Sequence, residues 1–245
     1  MSSSNASAKN THYGRHSADT KKPMLERMVD GELYLCNNPS VYAEIERAEN
    51  WLSRFNSSLS LSVAERNEIL RERIGQLGEG SAIRPPFFCD YGSNIFLGER
   101  VMLNYGCCVL DGCRVDIGDK TLIGPAVKIY TADHPRDSAL RDQGWEFAKP
   151  IRIGRNVWIG GGAAILPGVT VGDDAIIGAC AVVTRDVPEG VTVVGNPARP
   201  IGQKRDVPKG VTVVGNPARP IGQKRDVPEG VTVVGNPARP IGQKD

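Results

Sequence analysis

The chain has 245 residues, room for one domain with its own core or slightly more. Its 30 Lys+Arg stand against 28 Asp+Glu, so it lacks the basic excess of a polyanion binder and no nucleic-acid partner is expected. No run approaches the ~18 apolar residues of a membrane span, so no membrane partner is expected either.

Residues 1–22 are rich in Ser, Asn and Ala and contain no apolar stretch. They read as a disordered leader and not as a secretory signal, which points to a cytoplasmic protein with reduced thiols. The six cysteines form no CxxC pair, and no histidine lies at metal-ligand spacing from them. No metal is expected, and Cys107, Cys108 and Cys113 read as small buried apolar residues.

Residues 23–80 read as a helical cap. A short amphipathic piece around Glu26, Arg27, Met28 and Val29 ends at Asp30-Gly31. Residues 39–55 carry Val41, Tyr42, Ile45, Ala48, Trp51, Leu52 and Phe55 at helical spacing. Residues 62–77 predict a further helix, with Ser62 as N-cap and Gly78 as stop.

From Ile83 the chain repeats every six residues. Ile153, Ile159, Ile165, Val171, Ile177 and Val183 form an aliphatic column, and Val157, Ala163, Val169, Ala175, Ala181 and Val187 form a small-residue column. Leu97, Leu103, Val109 and Val115 continue the pattern upstream. The phase then slips by two, to Ile117, Ile123 and Ile129. Each six-residue unit reads as one flat side of a three-sided coil, with the aliphatic pointing inward and stacking on its equivalents. The Gly that often follows the aliphatic is expected to supply positive φ at the corner. This gives a mainly β solenoid domain over 81–204. Residues 131–150 are polar and off-period, and read as a loop thrown out between coils, a common place for function. Residues 185–204 recur as 205–224 and 225–244, with Glu189 replaced by Lys209 and restored as Glu229. Copy one joins the last coil directly. Copies two and three, 205–245, are expected as an exposed or loosely docked tail.

Of three histidines, His12 and His16 lie in the leader, and His134 lies in Tyr130-Thr131-Ala132-Asp133-His134-Pro135, where a coil opens into the loop. That segment, with Arg84-Pro85-Pro86-Phe87-Phe88, Asp90-Tyr91-Gly92-Ser93-Asn94, Leu103-Asn104-Tyr105, Val157-Trp158-Ile159-Gly160 and Gly195-Asn196-Pro197-Ala198-Arg199, resembles the maltose/galactoside O-acetyltransferases and the related nodulation-factor acetyltransferase. The resemblance spans residues 24–202. It implies a left-handed parallel β-helix with a small helical cap, a homotrimer with intersubunit active sites, acetyl-CoA as donor and a sugar as small-molecule acceptor.

In that family His134 matches the catalytic histidine. An imidazole exchanges protons near neutral pH, so it can take the proton of an attacking hydroxyl and return one to the departing thiolate. Asn104 matches an asparagine beside the reacting hydroxyl, though it could equally be a corner residue. Asp90, Tyr91, Asn94 and Asp111 match the acceptor pocket, and Asp111 could equally be a turn residue. Gly161, Ala179, Thr184, Arg185, Arg199 and Trp158 match the coenzyme groove, with Arg199 on the phosphates. Cys36, Gly112 and Gly202 depart from acidic, acidic and basic family positions respectively. Three readings compete with a sugar acetyltransferase. A relative acting on serine or an antibiotic is one, and a catalytically silent scaffold is another. The third, a solenoid carbonic anhydrase, needs three histidine ligands where the solenoid offers His134 alone.

Overall fold

A computed structural model describes residues 21–201, together with the backbone of two short strands at 233–235 and 238–240. The leader, except Lys21 and Lys22, and most of the extra C-terminal copies lie outside the described residues. Lys22 itself is bound to the cap through Asp30 and Glu32.

The cap begins with helix α1 (Met24–Val29), which leads into a two-residue strand β1 (Tyr34–Leu35). Helix α2 (Pro39–Asn56) starts where Asn38 Oδ1 accepts the Ser40 N–H and Pro39 occupies the first turn. Helix α3 (Val63–Arg71) starts in a capping box, Ser62 and Glu65 each accepting the other's backbone N–H. It ends at Arg71, short of the expected Leu77. A side chain at Gly75 would put its Cβ 2.4 Å from the Ser93 carbonyl oxygen, so here the chain leaves the helix and slips beneath the next coil. Gln76–Leu77 is already a solenoid strand, so the stack starts before Ile83.

The solenoid is built of three-strand coils. The first is β2 (Gln76–Leu77), β3 (Ala82–Ile83) and β4 (Phe88–Cys89), and the second is β5 (Ile95–Leu97), β6 (Met102–Leu103) and β7 (Cys108–Leu110). The third is β8 (Val115–Ile117), β9 (Leu122–Ile123) and β10 (Lys128–Tyr130). An arm of β11 (Ala132–Asp133), α4 (Ser138–Asp142) and β12 (Trp145–Ala148) then leaves the stack. The fourth coil is β13 (Ile151–Ile153), β14 (Trp158–Ile159) and β15 (Ala164–Ile165), and the fifth is β16 (Thr170–Val171), β17 (Ile176–Ile177) and β18 (Val182–Val183). The last turn is a hairpin of β19 (Thr192–Val194) and β20 (Arg199–Ile201). Beyond it, β21 (Val233–Gly235) pairs with β22 (Ala238–Pro240).

Every solenoid side is a parallel sheet in which each strand pairs with its counterpart one coil away. Both predicted columns point inward: Ile159, Ile165, Ala163 and Ala175 are fully buried. The glycines after the aliphatics have a different job from the one expected. Positive φ falls two residues further on, at Lys120, Ala126, Asn156, Gly162, Gly168, Asp174 and Cys180. At Gly154, Gly160 and Gly172 a Cβ would stand 2.4–2.5 Å from atoms of the next coil. Coils stacked at strand spacing leave no room there for a methyl group.

A solenoid must close both ends of its core. At one end α2 does so with Trp51, Leu52 and Phe55, which join the same buried cluster as Ile83 and Leu97. At the other the terminal hairpin does so with Val193, which is 3% exposed. No helix among the described residues is long and apolar enough to cross a membrane.

Candidate active site

The residues that break the six-residue period collect at one corner of the prism. The third side of each coil returns to the first side of the next through residues 90–94, 111–114 and 131–150, which stack on one another. The predicted phase slip and the predicted loop are therefore two signs of one place.

Asp111 ties this corner together. It is fully buried. Its Oδ1 accepts the backbone N–H of Asp90 (3.1 Å) and Tyr91 (2.8 Å), and its Oδ2 accepts that of Asn94 (3.2 Å). The Asn94 amide returns a hydrogen bond to the Asp111 carbonyl. Burial pushes the Asp111 carboxyl up to about 6 against the pull of these amides. With its oxygens so engaged beneath the surface, Asp111 holds the 90–94 segment and does not itself reach outward. Tyr91 is likewise 5% exposed and wedged among Met28, Tyr34 and Val41 of the cap. The expected acceptor contacts therefore divide. Asp90 and Asn94 stay half-buried at the corner, while Tyr91 and Asp111 support them from within.

The segment expected to be a plain loop is a structured arm. β12 pairs antiparallel with β11 on one edge and with β1 of the cap on the other, Tyr34 opposite Glu146. This brings Glu146 to His134: Nδ1 lies 3.8 Å from Oε1, and Tyr34 Oη donates to Oε2 at 2.8 Å. The 3.8 Å separation exceeds hydrogen-bond reach. Asp133 Oδ1 accepts the His134 N–H, and Arg136 bonds both Asp133 and the His134 carbonyl, which fixes the ring's backbone. The imidazole side chain remains 59% exposed. Burial, then Asp111 and Glu146, push the Asp90 carboxyl up to about 7. Burial and Glu146 also push the Cys36 thiol up, at the position where the sequence departs from an acid. A Cβ on Gly112, the second departure, would lie 3.3 Å from Ala148 and 3.6 Å from the Tyr34 hydroxyl, so glycine lets the arm lie close.

Sequence reasoning missed Glu146 and Tyr34. Neither sits in a periodic column, and they are 112 residues apart.

The other predicted residues occupy different places. Asn104 lies at the neighbouring corner, between second and third sides, where its Oδ1 accepts the Tyr105 N–H. Within one chain it is separated from the His134 corner by a whole side, about 20 Å for six residues. Gly161 and Ala179 stand on the same corner as Asn104 in later coils; Gly161 lies against Pro125 and Ala179 against Gly160. Thr184, Arg185 and Arg199 line one shallow cavity of about 220 Å³ beside the terminal hairpin. Trp158 projects from the second side, 57% exposed, between Leu122 and Ile176.

Two family descriptions match. Residues 27–78 match the maltose acetyltransferase hexapeptide capping motif, and residues 150–185 match the bacterial transferase hexapeptide of six repeats. Nodulation protein L of Rhizobium meliloti is 52% identical over 174 residues, 71% of this chain and 95% of that protein. The chain belongs to the maltose/galactoside O-acetyltransferase family. Galactoside O-acetyltransferase of Escherichia coli, another relative, is 37% identical over 179 residues, 73% of this chain and 88% of its own. The solved maltose O-acetyltransferase of Clostridium difficile 630 superposes with TM-score 0.73 at 42% identity, covering 74% of this chain and 97% of that one. A galactoside acetyltransferase solved in complex with coenzyme A gives TM-score 0.71 at 36% identity, covering 74% and 91%. This chain is accordingly an acyltransferase of the hexapeptide-repeat class, and its solenoid is that family's left-handed parallel β-helix.

Proposed function

We propose that this acetyltransferase moves the acetyl group of acetyl-CoA to a hydroxyl of a sugar or glycoside by direct attack, with His134 as general base. The observation that carries this is the place of His134. The solenoid's one histidine stands at the root of a clasped arm, beside Glu146 and the half-buried Asp90. In the reaction the imidazole takes the hydroxyl proton as the oxygen attacks the thioester carbonyl. The carbon–sulfur bond then breaks, and the same proton goes to the departing thiolate. Glu146, held by Tyr34, stands on the Nδ1 side of the ring. Asp90 and Asn94 offer a sugar an acid and an amide at the mouth of the corner.

The rest of the reading is a homotrimer. The outward residues of the second side form an apolar ladder of Met102, Leu122, Trp158 and Ile176, while the first side shows Gln76, Asp116, Arg152 and Thr170 with Phe96 as its one aromatic. A prism with apolar and polar sides favours closed rotational assembly. Such assembly also brings the Asn104 corner of one subunit to the His134 corner of the next. Asn104 then serves the developing oxyanion, and the Gly161–Ala179 corner leads the pantetheine toward it. At the far end Arg185 and Arg199 meet the nucleotide phosphates and Thr184 lines the same cavity, with Trp158 flanking the groove. An acetyl-CoA donor, and the lack of a disulfide among the described cysteines, suit a cytoplasmic setting.

The test is His134→Ala, assayed with radiolabelled acetyl-CoA on a panel of galactosides, maltose, serine and chloramphenicol. Wild type should favour the sugars. The variant should keep its trimer and its CoA affinity while turnover drops at least a thousandfold. Turnover within tenfold of wild type would remove the base from the mechanism.

A further inference from the structure

The terminal hairpin closes the core, and its sequence occurs three times in the chain. Copy one seats on the fifth coil through backbone hydrogen bonds along its length. Gly172 N–H reaches Val187 O, Ile176 N–H reaches Val191 O, Gly178 N–H reaches Val193 O, and Ala198 N–H reaches Val182 O, all at 2.8–3.0 Å. Thr170 N–H reaches the Asp186 carboxylate. Val187 and Val193 fill the end of the core. Each of these residues recurs unchanged forty positions later, as Asp226, Val227, Val231, Val233 and Ala238. They also recur twenty positions later, where Lys209 replaces only the exposed Glu189. The local geometry recurs as well. In copy one Val193 faces Pro200 and Val194 faces Arg199; in copy three Val233 faces Pro240 and Val234 faces Arg239. Among the described residues, the two strands of copy three thus pair in the register of copy one.

We propose that the three copies are interchangeable occupants of one docking site, the open end of the fifth coil, and that a spare copy of the same chain closes the core when copy one is damaged. No contact of the site distinguishes one copy from another. Only chain connectivity does. Seating copy two leaves about twenty residues looped out and seating copy three about forty; loop closure scaling as n to the power 3/2 disfavours these by roughly a hundredfold and a few hundredfold. Copy one therefore holds the site in the intact protein. A buried charge in copy one is disfavoured by more than those factors, which hands the site to a spare.

The experiment places Val193→Asp in the full chain and in a chain ending at Lys204, and follows thermal unfolding at fixed protein concentration. The unsubstituted chain ending at Lys204 should melt with wild type. Full-length V193D should melt within about 10 °C of wild type, while V193D ending at Lys204 should lose at least twice that. The full-length triple variant V193D/V213D/V233D should fall with the truncated one. Equal melting of the two V193D chains, whether both high or both low, overturns the exchange. Rescue accompanied by assemblies larger than those of wild type also overturns it, because the copy would then come from a neighbouring chain.

Discussion

Replacing Asp111 with alanine should loosen the corner on which the proposed acceptor residues Asp90 and Asn94 stand. The change removes the acceptor of three backbone N–H groups, those of Asp90, Tyr91 and Asn94, in a place with no exposure to water. An orphaned buried donor costs about 1–3 kcal/mol, so the gross loss is roughly 3–9 kcal/mol. Opposing it is the relief of a disfavoured buried charge. A carboxyl pushed up to about 6 sits two units above its free value, or about 3 kcal/mol at pH 8. The net expectation for Asp111→Ala is a loss of about 3 kcal/mol. Asp111→Asn keeps one oxygen for Asp90 and Tyr91 but turns an NH2 toward the Asn94 N–H, for a loss of about 1–2 kcal/mol. Urea unfolding at pH 8 and fixed protein concentration reads both. The KM for acceptor should rise in both variants while the KM for acetyl-CoA holds. If either variant is as stable as wild type, or if Asn is worse than Ala, the amides are not what the carboxylate is there to hold.

Asp90→Asn tests the electrostatics of the same corner. Asp90 is raised to about 7 by burial, then by Asp111 and Glu146, so between pH 4 and 7 the folded state binds a proton that the unfolded state has released. Wild-type stability should therefore fall as pH rises through that window. The amide variant should match wild type at pH 4 and exceed it at pH 8 by about 2 kcal/mol, allowing for screening of a partly exposed group. A variant whose stability falls over pH 4–7 as steeply as wild type would contradict the assignment. In the proposed coenzyme groove, Gly161→Ala adds a methyl group 3.1 Å from the Pro125 oxygen, a contact that small shifts can accommodate. The KM for acetyl-CoA should rise about tenfold with melting changed by only a few degrees; an unchanged KM would move the cofactor elsewhere.

The period-six columns carried most of the solenoid's core, because each reports one inward position of a rung and every rung meets the same neighbours. Val157, Ala163 and Ile165 are buried where the columns put them. The same logic explains the misses. Gly160 was expected to relieve a backbone angle, but its constraint is the approach of Ala179 from the next coil, which a single repeat does not display. α3 stops early because Gly75 must pass beneath Ser93, and propensity within 62–77 has no knowledge of that carbonyl. The arm looked structureless because β12 owes its order to β1, a partner in the cap that no local pattern announces. Glu146 and Tyr34 are invisible for the same reason. The position of His134 at the root of the break was legible, whereas Asp111 was legible as a polar residue at a turn but not as the anchor of another turn.

The stacking of every off-period segment at one corner separates two kinds of sequence change. Substitutions in the columns are answered by rungs on both sides and alter the rod itself. Changes in length or composition at 90–94, 111–114 or 131–150 are answered mainly by one another and by the cap. The arm can thus change length, or the Cys36 and Gly112 positions change side chain, while the rod beneath keeps its winding.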